Sequence, residues 1–398
     1  MRPDYLETVW SQVPHDASAG YVYSLDGLRR AWERLRNAIP AEAGIYYSLK
    51  ANPHPTIVER LSGWGASMDV CSLGELNAVL DSGVDPTDIS YLGPGKTDEE
   101  LAACVSRGVG TVVVESLREL DRLSRIAAES QREVDVVLRV NLSEVVVGSR
   151  LSMGGKPRQF GIDEEQLVVL EPSAIRFPAV RVIGFHSYSG TRNLSAKSII
   201  ETTRNTLASF ERLAGRLGVM LRAVNVGGGF GVPYHDNESP LDLDVLRGGL
   251  KRVIAEFIDR NPSVKVFFES GRFIAAESGL YLTRVVDKKT SKGKTFLICS
   301  GGTNHFVAAS GGGSPMRRNW PAWVLAPDGT ARSEVAEKVD VSGPLCTPSD
   351  VLLKDAELAR ADVGDYVVIA MAGAYGASAS PVNFLSHQPP YEVFPHEE

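Results

Sequence analysis

Apolar residues recur at helical spacing early in the chain. Leu28, Trp32, Leu35 and Ile39 share one face of LDGLRRAWERLRNAI, which predicts an amphipathic helix. The run that follows, GIYYSLKA, is short and rich in β-forming residues, so it reads as a strand. The same alternation then continues. PTIVERLSGWG, LGELNAVLDSGV, TDEELAACVSRG, LRELDRLSRIAAES, SIIETTRNTLASFERLAGRLG and LDVLRGGLKRVIAEFIDR carry helical patterns, and ASMDVCS, DISYLG, TVVVES, VDVVLRVNL, RVIGFHSYSG, LRAVNVGGGF and VKVFFES read as strands between them. Strands alternating with helices predict a parallel sheet. Eight strand candidates in about 245 residues fit a (β/α)8 barrel, with an open doubly wound sheet as the alternative.

After residue 278 the pattern changes. LYLTRVVDKKT, KTFLICSGG, SEVAEKVDVSG, VLLKDAELA and GDYVVIAMAG are strand-like with turns between them. The expected organisation is a barrel over 27–278 and an all-β barrel or sandwich made of 1–26 and 279–398. VAASGGGSPM, residues 307–316, is small and glycine-rich and is expected to be a mobile loop.

Composition narrows the function. Hydrophobic residues at 43% and charged residues at 23% describe a globular chain. The 42 basic against 49 acidic residues, a net charge of −7, argue against a broad nucleic-acid surface. No run is long and apolar enough for a membrane span, and the start lacks the basic-then-apolar order of a signal peptide. Cys71, Cys104, Cys299 and Cys346 stand far apart, which predicts neither disulfides nor a zinc site and favours a cytoplasmic location. No metal is expected.

The polar residues that need explaining fall at the carboxyl ends of predicted strands, where barrel enzymes build active sites. Lys50 closes the first strand in YYSLKAN; it is either a solvated loop lysine or a desolvated amine able to form a Schiff base. His186 in GFHSYSG is either structural or a ring that stacks on a flat cofactor. The glycines of NVGGGFG, Gly228 and Gly229 among them, leave backbone N–H groups free to converge on an anion. Glu269 in FFESGRF either pairs with Arg272 or faces a protonated ring nitrogen, with Gly271 and Arg272 completing a phosphate cup. Together they describe a site for pyridoxal 5'-phosphate.

YYSLKAN, MDVCSLGEL, GFHSYSG, NVGGGFG, ESGRF, GPLCTPSD and AGAYG stand in the order found in the fold-type III pyridoxal-phosphate decarboxylases, and the chain resembles that family from about Tyr21 to Tyr391. The resemblance implies an alanine racemase-like (β/α)8 barrel, a C-terminal β domain, and a homodimer with shared active sites. It implies that Lys50 carries the cofactor, that His186 stacks on it, and that Glu269 keeps its nitrogen protonated. Ser189, Gly228, Gly229, Gly271, Arg272 and Tyr375 would hold the phosphate, with Asp69, Glu75 and Arg139 in support. Cys346, from the partner subunit, would reprotonate the product. A carboxylate rather than an arginine against the nitrogen favours decarboxylation over racemisation.

Substrate choice is read from departures. Relatives acting on diamino acids follow the catalytic cysteine with Asp or Glu; here Thr347 follows it, and Ser300 replaces a second acid. A distal ammonium left unpaired costs about 3–5 kcal/mol. Asp350 belongs to the family motif and does not compensate for Thr347. The remaining motifs resemble the branch acting on acylated amino acids, such as the staphyloferrin B-type siderophore decarboxylases, or on glutamyl groups tethered to a carrier protein. The expected substrate is a small amino acid conjugate with a neutral or acidic cap, contacted by Thr347, Ser300 and Asp350, with Arg158, Arg192 and His305 as candidates for an anionic cap. A diaminopimelate, ornithine or lysine decarboxylase, or a catalytically silent cofactor-binding homologue, are the alternatives.

Overall fold

Hydrogen-bonding side chains placed just after the strands decide where helices begin. The computed structural model describes residues 10–14, 18–143, 151–152, 158–235, 237–311, 318–333 and 335–395. A first strand, β1 (Ala19–Tyr23), leads to helix α1 (Leu25–Ala38), where Ser24 caps the Gly27 N–H and Leu28, Trp32 and Leu35 are buried. Ile39 is the C-cap rather than part of the helix, yet it is still buried.

Eight parallel strands follow: β2 (Ala43–Ser48), β3 (Ser67–Val70), β4 (Ile89–Tyr91), β5 (Thr111–Val114), β6 (Val134–Asn141), β7 (Val180–His186), β8 (Ala223–Asn225) and β9 (Lys265–Ser270). Their neighbour order is β5-β4-β3-β2-β9-β8-β7-β6, and β6 pairs back to β5. The sheet therefore closes, which excludes the open doubly wound alternative and establishes the (β/α)8 barrel. Most of their residues are buried, because the barrel interior covers one face and helices cover the other.

The outer helices are α2 (Pro55–Gly63), α3 (Leu73–Asp81), α4 (Asp98–Arg107), α5 (Leu117–Glu129), α6 (Glu164–Val169), α7 (Ala196–Leu217) and α8 (Leu243–Arg260). Three of them start with the same device. The hydroxyls of Ser72, Thr97 and Ser116 accept the amides of Glu75, Glu100 and Glu119. Each glutamate in turn accepts a backbone N–H at the helix entrance: Cys71 at 2.7 Å, Thr97 at 2.7 Å and Glu115 at 3.3 Å. A cap of this kind contributes about 1 kcal/mol. Here it also fixes the loops at the carboxyl ends of the strands.

The rest of the chain forms a second sheet: β10 (Gly279–Ser291), β11 (Lys294–Cys299), β12 (Ala322–Leu325), β13 (Ala336–Ser342), β14 (Val351–Ala359), β15 (Tyr366–Ile369) and β16 (Tyr391–Val393). Its path runs β12-β15-β10-β11-β13-β14, and β1 joins it by pairing with β10 and β16. β1, β12 and β16 are absent from the sequence-predicted set; each has five residues or fewer, too short for alternation to register. Val307–Ser310 form a single 3-10 turn, whereas 312–316 of the expected mobile loop lie outside the described residues. Among the described residues no helix is long and apolar enough to cross a membrane.

Candidate active site

The site grows from the turn that ends β2. Lys50 lies in the one-turn helix Leu49–Ala51, and the second sheet's C-terminal segment is stitched to that turn. Tyr375 donates its N–H to Ala51 O at 2.7 Å, Asn52 donates to Gly373 O at 3.1 Å, and the Ser378 hydroxyl donates to Lys50 O at 3.2 Å. These bonds hold Tyr375 over the barrel mouth at φ 56°, a left-handed conformation uncommon for a tyrosine.

Lys50, Gly229, Glu269, Gly271, Arg272 and Tyr375 line one cleft, together with Ser48, Tyr188, Thr191 and Ser270. Ser189 and Gly228 face a separate hollow on the other side of the glycine turn, with Asn193 and Thr203. Lys50 is accessible from the cleft yet densely surrounded by protein, its Nζ 5.8 Å from the Tyr188 ring centre. Burial alone would lower its pKa; Asp69, Cys71 and Glu269 more than reverse that, and the ammonium is held. Asp69, buried at the end of β3, completes no well-formed hydrogen bond through either oxygen. Burial first, then the charge of Glu269, pushes its carboxyl up to about 8, although Lys50 and the Ser48 hydroxyl pull the other way.

Glu269 shows the opposite balance. Burial would raise its pKa, but His186 and then Lys50 outweigh it, so the group stays ionised. His186 Nε2 lies 2.8 Å from its Oε1, and Asn225 Nδ2 donates to the same oxygen at 2.9 Å. Asn225 also accepts the Gly227 N–H through Oδ1, tying the carboxylate to the glycine turn. That turn admits no side chains where it matters. A Cβ at Gly228 would lie 1.7 Å from Glu269 O, and Gly229 has φ 87°. A Cβ at Gly271 would meet the Ala51 Cβ at 2.6 Å.

Arg272 is wedged between aromatic rings. Its guanidinium lies 4.4 Å from the Tyr375 ring centre and donates to Tyr234 OH at 2.8 Å, while its Nε is buried without a partner. Arg139 is buried against Glu115 at 2.8 Å and stacks on Phe160 at 4.6 Å. Glu115 also accepts the Gly161 N–H at 3.0 Å. Sequence reasoning missed Glu115 and Asn225. Both stand at strand ends ahead of a turn, the same signal that singled out Lys50 and Glu269.

The residues assigned to substrate recognition are not gathered in this cleft. Cys346 is exposed, and the Thr347 hydroxyl meets that of Ser349 at 2.9 Å. Asp350 is buried and accepts from Thr303 N, Thr303 Oγ1 and Leu345 N at 2.7, 2.8 and 2.8 Å. The Ser300 hydroxyl donates to Ser18 O and accepts the Arg284 N–H. His305 sits between Gln388 O at 2.9 Å and Tyr281 OH at 3.3 Å. Arg158 is exposed. Asp350, Ser300 and His305 therefore hold the second sheet together within this chain.

Buried polar atoms rarely go unpaired without a reason. Here Asp69, His186 Nδ1, Ser270 Oγ and Arg272 Nε all do so close to one cleft. The donors and acceptors match a phosphorylated pyridoxal: an amine for its carbonyl, a guanidinium and glycine backbone for its phosphate, and an ionised carboxylate for its ring nitrogen.

Comparison with known proteins points the same way. Residues 25–276 match the family described as pyridoxal-dependent decarboxylase, pyridoxal binding domain. The chain is 35% identical over 379 residues to an L-glutamyl-[BtrI acyl-carrier protein] decarboxylase of Niallia circulans, covering 94% of this chain and 87% of that one. It is 33% identical over 382 residues to the 2-[(L-alanin-3-ylcarbamoyl)methyl]-2-hydroxybutanedioate decarboxylase of Staphylococcus aureus, covering 94% and 93%. The fold is similar to that of diaminopimelate decarboxylase from Helicobacter pylori complexed with L-lysine, with a TM-score of 0.85 at 27% identity over 98% of this chain and 94% of that one.

Proposed function

The chain belongs to the pyridoxal-dependent decarboxylase family, and from that premise we propose that it removes the α-carboxylate of an amino acid whose far end is acylated, citryl-diaminopropionate being the type. Pyridoxal phosphate, when bound, supplies the electron sink that lets the carboxylate leave as carbon dioxide. In this reading the Lys50 amine would anchor the cofactor through its carbonyl. Glu269, kept ionised by His186 and Asn225, holds a proton on the ring nitrogen. Gly229, Gly271, Arg272 and Tyr375 grip the phosphate. Cys346 delivers the proton that replaces carbon dioxide.

One observation carries the substrate assignment. In GPLCTPSD the single carboxylate, Asp350, is consumed by Thr303 and Leu345, so the exposed turn offers a thiol and hydroxyls but no anion. A distal ammonium brought to that turn would find no counter-charge; an acylated end needs none. In this reading the enzyme acts as a homodimer in which this turn enters the partner's cleft, and the exposure of Cys346 supports that arrangement. Its setting is the cytoplasm, in siderophore or other specialised biosynthesis. A second reading, a glutamyl group presented on a carrier protein, is favoured by the Niallia circulans relative.

Carbon dioxide release by the purified holoenzyme tests this. Citryl-diaminopropionate is expected to react; a glutamyl-carrier thioester reacting in its stead selects the second reading. Turnover confined to free diaminopimelate, ornithine or lysine defeats both.

A further inference from the structure

Beside the cleft stands a cluster of basic groups, of which the proposed reaction uses only Arg272. We propose that Arg192 clamps a carboxylate at the far end of the substrate and thereby determines specificity for a polycarboxylate cap. The inference deepens the reading above and rests on it.

Tyr234 is the platform. It is fully buried, and its backbone N–H is held by Glu238 at 2.8 Å. Trp320, from the segment ahead of β12, packs against its ring with centroids 4.5 Å apart. Arg192 lies over that ring, 4.6 Å from the centroid, and Arg272 bonds to its hydroxyl at 2.8 Å. One rigid ring therefore positions two guanidinium groups, and neither can shift far without losing its contact. Arg192 follows Thr191, which lines the cleft with Arg272.

The backbone is committed to this placement. Arg192 has φ 60°, a left-handed conformation uncommon for an L-residue. It packs so closely on Gly231 that a Cβ there would come within 2.9 Å of the Arg192 carbonyl carbon. Two further basic residues stand near Arg192: His235, bonded through Nδ1 to Asn319 O at 3.2 Å, and Arg318, on Asn237 at 3.2 Å. Guanidinium forks match carboxylates in bidentate geometry, and a cap with two or three carboxylates offers one to Arg192. The same field repels a distal ammonium, complementing the missing anion beside Cys346.

The test compares wild type with Arg192→Gln and Arg192→Lys as holoenzymes. Substrates are diaminopropionate capped with citrate and the same amino acid capped with a neutral acetyl group. For the citryl substrate Arg192→Gln should raise KM about 10- to 100-fold, the loss of one charge-assisted bidentate contact. The effect on kcat should be much smaller, and the acetyl substrate should be far less affected. Arg192→Lys should fall between, and it carries the test if the glutamine variant fails to fold. Calorimetric titration of the holoenzyme with citrate alone gives a readout without turnover, and binding should weaken about tenfold in Arg192→Gln. Equal losses on both substrates, or unchanged citrate affinity, would overturn the clamp. If wild type turns over only free diamino acids, the reaction assignment falls, and the citrate titration still decides whether Arg192 binds carboxylates.

Discussion

Two buried aspartates, one in each half of the molecule, have opposite surroundings. Asp350 in the β region accepts three hydrogen bonds and locks Thr303 to the turn that carries Cys346. Asp69 at the barrel mouth completes none, and its carboxyl is driven up to about 8. A buried carboxylate with every donor in place is architecture. One left unsatisfied is held against its own preference by the fold, and such groups concentrate where chemistry is done. The β region therefore serves as a rigid bracket, and the barrel mouth stores the imbalance.

The sharpest way to break this contrast is to remove the amine that faces Asp69. Lys50→Ala should cut decarboxylation by more than about 1000-fold and erase the absorbance of the lysine-bound cofactor, if Lys50 is the covalent anchor as proposed. Persistence of that band would remove Lys50 from its role. Next in size, Asp350→Ala should cost about 3 kcal/mol in denaturant unfolding, because the Thr303 and Leu345 donors are orphaned. It should leave the cofactor band in place in the folded fraction. Glu115→Gln should cost about 2 kcal/mol by leaving Arg139 buried without its counter-charge.

Asp69 gives a pH signature of the opposite sign. Its folded carboxyl keeps a proton up to about pH 8, whereas the unfolded side chain releases it near 4. The folded state thus binds more protons between those limits, and stability falls as pH rises through that window. Asp69→Asn should stabilise the cofactor-free protein by about 1–2 kcal/mol at pH 8, with the gain shrinking toward pH 4. A destabilisation that is constant with pH would assign Asp69 to the architecture beside Asp350. Smallest of all, Cys346→Ala should change stability by less than about 0.5 kcal/mol, since the side chain is exposed, while impairing protonation of the product.

The barrel was legible because its strands are short apolar runs between strongly periodic helices, and the motif order put Lys50, Glu269 and Arg272 on strand ends before any geometry was known. Less legible were the roles of polar residues of one type. Asp69 and Asp350 look alike in a sequence, since what separates them is whether donors from distant segments arrive. Ser300 reads as a cap contact because it stands where relatives carry a second acid, and His305 as a candidate for an anionic cap; what the sequence does not display is that Gln388, more than eighty positions away, takes up the His305 ring, and that Ser18, near the start of the chain, takes up the Ser300 hydroxyl. Asn225 and Glu115 were missed for the reverse reason: their importance lies in what they hold, Glu269 and Arg139.

The most direct test is the ratio of kcat/KM for citryl-diaminopropionate to that for free diaminopimelate on wild-type holoenzyme. The absence of an anion beside Cys346 predicts a preference for the capped substrate of at least about 100-fold, the cost of an unpaired distal ammonium being about 3–5 kcal/mol. A ratio near or below one would contradict the account, because some other group would then be pairing the distal ammonium.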